Sequence, residues 1–278
     1  MLSYRHAFHA GNHADVLKHL VEILVLEYLV QKAGKPLRYI DTHAGPGTYD
    51  LGSSFASKNR EFDTGISRLW ERSDLPRPLV NYVDHVRALN PGGELQHYPG
   101  SPALAAKILH AGHRLQLFEL HPDDAGRLQR WAGRDPRIKV QHSDGFAALK
   151  AVLPPVEKRA LVMIDPPYEV KTDYDTAVDA LQLASRKFAT GVYVLWYPLL
   201  NRGLVSAMLS KLRAMSVKHL LAELPVMPAA EQGMYGSGVF VINPPWLLQQ
   251  QLQECLPYLQ DVLASPDAER FRLLSNGD

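Results

Sequence analysis

Asp165-Pro166-Pro167-Tyr168 directly follows the apolar run Ala160-Leu161-Val162-Met163-Ile164. Read as a buried strand and the turn after it, this puts a carboxylate, two rigid rings and an aromatic face at the carboxyl end of a strand. Open α/β sheets bind ligands at that edge. Asp165 and the Pro166 carbonyl accept hydrogen bonds from an exocyclic NH2 group. The prolines remove two backbone donors and fix the local φ. Tyr168 supplies a stacking face for a flat ring. Such a set suits methyl transfer to an amino nitrogen of a base, the alternative being a strand that merely ends in an Asp-Pro turn. A second run of the same form, Asn243-Pro244-Pro245-Trp246, follows Val239-Phe240-Val241-Ile242. Position separates the two. In a doubly wound sheet the fourth strand lies beside the first, so Asp165 is expected to be catalytic and Asn243 structural.

The cofactor side is a series of turns and acids in chain order. Asp41-Thr42-His43-Ala44-Gly45-Pro46-Gly47 follows a strand, and its glycines allow a sharp turn and close approach to a ligand. Tyr49 and Asp50 follow where the dinucleotide fingerprint needs its third glycine. That argues against a nicotinamide dinucleotide and for a cofactor without a pyrophosphate. Ser101 is expected as a helix N-cap with Pro102 as first helical residue, a start whose free NH groups suit a carboxylate. Glu119, ending the strand Leu115-Gln116-Leu117-Phe118, suits two ribose hydroxyls. Asp144 suits an adenine amine, with Gly145 allowing close approach. Each acid alone could be a plain helix cap; the ordered series is the specific signal.

These residues need a scaffold, and the pattern supplies one. The chain has 278 residues, enough for one large domain, and alternating strands and helices imply a mostly parallel sheet. A helix is predicted from Ala14 to Lys32, with Val16, Leu20, Ile23, Leu24 and Leu26 on its apolar side. Seven strands are predicted, at 37–41, 115–119, 138–141, 160–165, 191–196, 218–224 and 238–243. Between them helices are expected near 102–111, 123–132, 145–152, 174–188, 203–214 and 247–263, and the last dozen residues are expected to fray. The interval from Gly47 to Glu119 is too long for one crossover, so 48–98 reads as a small inserted helical subdomain beside the nucleotide site. The absence of a long uncharged apolar run argues against a membrane span. One cysteine, Cys255, fits a reducing compartment and reads as a buried apolar residue. The net charge of +1 gives no global nucleic-acid footprint, although Arg5, His6, His9, His13, Lys18 and His19 crowd the first nineteen residues against Asp15 alone. His6, His9, His13, His19 and His43 with Asp15 or Asp41 also raise a zinc site. It is set aside because the spacing lacks the His-Glu-x-x-His form and no hydrolytic base is placed.

Longer segments resemble a known family. Residues 4–19, Tyr-Arg-His-Ala-Phe-His-Ala-Gly-Asn-His-Ala-Asp-Val-Leu-Lys-His, are similar to the N-terminal signature of the bacterial 23S ribosomal RNA adenine-N6 methyltransferase family RlmJ. The match continues through Asp-Thr-His-Ala-Gly at 41–45, Pro-Gly-Ser-Pro at 99–102, Glu-Leu-His-Pro at 119–122, Asp-Gly-Phe at 144–146 and Asp-Pro-Pro-Tyr at 165–168. It extends to Ala-Thr-Gly at 189–191, Trp-Tyr-Pro at 196–198 and Ile-Asn-Pro-Pro-Trp at 242–246, and fades after about 264. The resemblance implies a Rossmann-like class I methyltransferase fold, α/β with a helical insertion, using S-adenosylmethionine on 23S ribosomal RNA. It implies cofactor contacts at His19, His43, Ser101, Glu119, Asp144, Gly145 and Asp165, with Asp165 the catalytic acceptor and Tyr4 touching the RNA. Pro46 stands where relatives often have alanine. A DNA adenine-N6 methyltransferase, with the same Asp-Pro-Pro-Tyr chemistry, is the alternative. A monomer in the cytoplasm, with no membrane partner and no metal, completes the expectation.

Overall fold

The structure, a computed structural model, describes residues 8–32, 34–53, 59–200, 203–229 and 233–276. Asn12 opens helix α1 (His13–Val30): its Oδ1 accepts from the amides of Ala14 and Asp15 at 2.9 and 3.0 Å, satisfying donors that every helix start leaves unpaired. Every residue from His13 to Leu26 is buried, including Asp15, Lys18, His19 and Glu22. The spacing of its leucines suggested one apolar side. In the fold, α1 is enclosed between the sheet and other helices, so its charged residues are interior too.

Strand β1 (Arg38–Asp41) leads to the glycine turn. A short ribbon, β2 (Thr48–Asp50) paired antiparallel with β3 (His97–Pro99), then brackets the long interval. Between its strands lie a 3-10 turn at Glu61–Thr64 and helices α2 (Ser67–Trp70) and α3 (Arg77–Arg87). Phe62, Ile66, Leu69, Tyr82, Val83 and Tyr98 share one apolar cluster with α1. The ribbon explains how the interval fits: the Gly100 amide donates to the Gly47 carbonyl at 2.9 Å. The crossover thus resumes where it was interrupted, at α4 (Ser101–Ile108).

The chain then alternates: β4 (Arg114–Glu119), α5 (Pro122–Ala132), β5 (Ile138–His142), α6 (Gly145–Val152), β6 (Ala160–Ile164), α7 (Thr172–Lys187), β7 (Val192–Leu200) and α8 (Gly203–Arg213). It closes with β8 (His219–Pro225), β9 (Met234–Ile242), α9 (Leu248–Leu263) and β10 (Arg272–Ser275). The main sheet has the order β10-β8-β9-β7-β6-β1-β4-β5. β5, β4, β1, β6 and β7 are parallel, β9 runs antiparallel between β7 and β8, and β10 runs antiparallel to β8. The sheet therefore has eight strands where seven were expected. The polar end of the chain, expected to fray, supplies the eighth because its polar groups find partners on β8. Arg272 Nη1 meets Glu223 Oε2 at 2.9 Å, and Asn276 Oδ1 accepts from the His219 amide at 2.6 Å.

The run 160–164 is apolar throughout because both sheet faces are covered. Leu161 and Met163 enter the cluster under α1, while Ala160, Val162 and Ile164 enter a second cluster with Leu181 of α7 and Leu209 of α8. Cys255 is fully buried on α9, as expected, and burial pushes its thiol up to about 12. Among the described residues no helix is long and apolar enough to cross a membrane.

Candidate active site

β1 lies between β4 and β6, so the chains leaving these strands diverge and open a crevice, the expected ligand position in such a sheet. A cavity of about 470 Å³ occupies it, lined from the strand ends by Gly45, Glu119, Asp144 and Asp165 and from α1 by Lys18 and His19.

Asp165 stands in the cavity wall with a partner that its own motif does not announce. Lys18 Nζ donates to Asp165 Oδ2 at 2.6 Å and pairs with Asp15 Oδ1 at 2.7 Å. Burial by itself disfavours the Lys18 ammonium, yet the two carboxylates outweigh it and hold its pKa above the ordinary lysine value. The ammonium lies 5.9 Å from the centre of the Trp196 ring. In the sequence Lys18 was visible only as one member of a basic run. The available signal was its spacing of three from Asp15, which pairs the two on one helix face.

Around the glycine turn the side chains are held by one another. Asp41 Oδ1 accepts from the His43 amide at 3.1 Å, and Oδ2 accepts from Ser101 Oγ at 2.6 Å and from the Tyr39 hydroxyl at 3.0 Å. Ser101 is thus not the N-cap it was expected to be. Gly100 holds that position, Ser101 is the first helical residue, and its hydroxyl turns to Asp41 while still lining the cavity. His43 Nδ1 lies 2.8 Å from Thr42 Oγ1, and its ring meets Phe146 edge-on with centroids 4.7 Å apart. Burial lowers its pKa to about 4, so the ring is neutral at pH 7. His19 Nδ1 lies 2.8 Å from the Tyr98 hydroxyl.

Glu119 is aimed by backbone: the Gly45 amide donates to Oε2 at 2.8 Å and the His121 amide to Oε1 at 2.7 Å. Burial raises its pKa against the pull of those amides. Asp144 caps α6, its Oδ1 accepting from the Phe146 and Ala147 amides at 2.9 and 3.3 Å, and it also lines the cavity. The cap and the cavity position coexist. Gly145 is buried and outside the lining; a Cβ there would collide with the Thr42 backbone, so its close approach is to the turn after β1.

On the base side the motif is divided. Pro167 lines the cavity, whereas Pro166 and Tyr168 do not. Tyr168 has φ 52°, donates to the Trp196 carbonyl at 2.9 Å and packs against Tyr174 at 4.6 Å between ring centroids. Its ring belongs to the α7 side of the sheet in this conformation. Tyr4 lies outside the described residues. His9 precedes α1 and meets Glu61 at 2.9 Å, so it does not share a helix face with His13. Among the described residues no three His, Cys, Asp or Glu side chains gather as a metal site.

The Rossmann-like sheet, with an acid ending β4 and an acid after β5, is that of the class I methyltransferases, and here Asp-Pro-Pro-Tyr follows β6. Comparison with known proteins gives the family. Residues 34–273 match the family described as ribosomal RNA large subunit methyltransferase D, RlmJ, and the chain belongs to it. It is 48% identical over 265 residues to Ribosomal RNA large subunit methyltransferase J of Escherichia coli (strain K12), covering 95% of this chain and 94% of that protein. It is 47% identical over 266 residues to the protein of the same name from Haemophilus influenzae, again covering 95% of this chain and 94% of the relative. A crystal structure of a Legionella pneumophila protein superposes with a TM-score of 0.90 at 37% identity, covering 97% of this chain and 99% of that one. Both named relatives are ribosomal RNA methyltransferases, and nothing among these relatives supports the DNA alternative.

Proposed function

We propose that this protein transfers a methyl group from S-adenosylmethionine to the N6 amine of an adenine in 23S ribosomal RNA. The observation that carries the reading is Asp165, ion-paired and facing the crevice beside the glycine turn. The cavity chemistry suits the donor. Among the described residues Glu119, Asp124, Asp144, Asp165, Glu169 and Asp173 line it against one lysine, and His43 is held neutral, so a ligand bringing positive charge fits. S-adenosylmethionine supplies, when bound, a sulfonium centre and an electrophilic methyl group. His19, His43 and Ser101 would hold its amino-acid end, Glu119 its ribose, and Asp144 with the turn at Gly145 its adenine.

Adenine N6 is a poor nucleophile because its lone pair is delocalised into the ring. Lys18 occupies Asp165 Oδ2, and a paired carboxylate has acceptor oxygens only. Asp165 then accepts an N6 hydrogen, with the Pro166 carbonyl as second acceptor, and favours a more tetrahedral nitrogen. A carboxylate at that point also stabilises positive charge developing on nitrogen. The target base must leave its stack to reach it. Tyr168 stacks that base after its ring turns toward the cavity, and Tyr4 contacts the RNA. Positioning of this kind supplies on the order of 7–11 kcal/mol in favourable cases.

We read the chain as one catalytic domain, with 48–98 as its insertion, acting as a monomer in the cytoplasm. The test is methylation of 23S ribosomal RNA from cells lacking this gene, with N6-methyladenine mapped in the product and a DNA duplex as competitor. Methyl transfer to the DNA and none to the RNA would overturn the assignment.

A further inference from the structure

Behind the cavity wall runs a chain of oxygen atoms that no step above uses. Glu22 on α1 and Tyr39 and Asp41 on β1 are completely buried, and Ser101 nearly so. The Tyr39 hydroxyl lies 2.8 Å from Glu22 Oε1 and 3.0 Å from Asp41 Oδ2. A phenol carries one hydrogen and an ionised carboxylate none. With both acids ionised, Tyr39 serves one contact and leaves lone pairs facing lone pairs at the other. One of the two acids therefore holds a proton.

The surroundings decide which. Asp41 accepts from the His43 amide and from Ser101, donors that favour its anion. Among the described residues Glu22 Oε2 meets no partner. An anionic oxygen stranded in the interior costs far more than a neutral carbonyl oxygen. Burial and the Asp41 charge push the Glu22 pKa well above the glutamate range, while burial moves Asp41 only to about 6. From its own helix Lys18 opposes the proton on Glu22, and Asp165 beyond β6 favours it. Lys18 is already committed to Asp15 and Asp165. Tyr98 on β3 also lies near Glu22, and burial above all holds its pKa well up, so it adds no charge there.

We propose that Glu22 is a positioning residue that works as a neutral carboxylic acid, donating to Tyr39 so that Tyr39 donates to Asp41 and fixes Ser101 and the His43 amide at the donor cavity. This rests on the cavity being the site of the methyl donor. The role needs a neutral donor at position 22, not a charge, so glutamine substitutes for glutamate there.

Calorimetric titration with S-adenosylmethionine and S-adenosylhomocysteine, paired with infrared difference spectra, tests it. Glu22→Gln is expected to bind within about twofold of wild type. Glu22→Leu and Tyr39→Phe are expected to bind about tenfold more weakly, the scale of one lost hydrogen bond. The spectrum of wild type minus Glu22→Gln at pH 7 is expected to show the C=O band of a protonated carboxyl group. Binding by Glu22→Gln as weak as by Glu22→Leu, or absence of that band, overturns the proposal. Full affinity in a less stable Glu22→Leu overturns the positioning role. Wild-type protein that binds neither ligand overturns the donor reading itself, an outcome distinguishable because the infrared band does not depend on it.

Discussion

Asp165-Pro-Pro-Tyr and Asn243-Pro-Pro-Trp are nearly the same four residues, each after a buried strand, and the molecule uses them oppositely. β6 runs parallel to β1 and delivers Asp165 to the cavity edge. β9 runs antiparallel to β7, so Asn243 emerges at the other edge of the sheet. The registers show it: Ile164 pairs with Leu195, whereas Ile242 pairs with Tyr193, nearer the start of β7. There Asn243 Nδ2 donates to the carbonyls of Ala189 and Gly191, both at 2.7 Å, tying down the turn that enters β7. Tyr168 is packed against Tyr174, but Trp246 is 77% exposed. Both motifs contain a left-handed residue, Tyr168 in one and Asn243 in the other, at φ 52° and 53°. A motif of this kind faces the cavity or ties down a turn according to the direction of its strand.

The comparison is broken most directly by exchange of the two polar heads. Asp165→Asn should lower methyl transfer at least about 100-fold, within the range for losing one group that stabilises transition-state charge, while S-adenosylmethionine still binds. Wild-type turnover in that variant would remove the distinction between the motifs. Lys18→Met removes the cation between Asp15 and Asp165 in a buried place. A loss of about 3–5 kcal/mol in denaturant unfolding is expected, with activity lost alongside; unchanged stability would mean the ion pair is incidental.

Acid should weaken the fold through two histidines, His13 at the start of α1 and His43 beside the cavity. His13 and His43 have pKa values of about 4 in the fold against 6.5 for the free side chain, so the unfolded chain takes up protons first as pH falls. Their contribution is complete above pH 6.5 and is lost between 6.5 and 4, at about 1.4 kcal/mol per pH unit for each. His13→Gln should flatten the stability profile over that window, and an unaltered profile would contradict the neutral buried ring. Asn243→Ala loses two hydrogen bonds and should cost about 1–3 kcal/mol of stability with kcat unchanged. Trp246→Ala should change neither quantity measurably; a fall in methylation would give the exposed motif a role after all.

Much of the cavity lining was legible in the sequence because the relevant signals are local. Strand, turn and acid follow one another within a few residues at 37–47, 115–119 and 160–168, and each acid sits where a strand end must put it. Ser101 was found as a cavity residue for a mistaken reason, since its hydroxyl serves Asp41, 60 residues away in sequence. Gly145 answers to Thr42 and Tyr168 to Trp196, contacts that no local pattern contains. β10 escaped notice because its partners, Glu223 and His219, lie on a distant strand.

Chain order, period and turn chemistry alone determined the alternating α/β frame and the acids that reach the crevice, because these depend on neighbours within one strand and turn. Only the tertiary structure decided that Lys18 is the counter-ion of Asp165, 147 residues away, and that Glu22 faces Tyr39 in the interior. Enclosing α1 on all sides makes its polar residues answer to one another across elements, and no spacing along a single helix encodes which carboxylate will meet which cation.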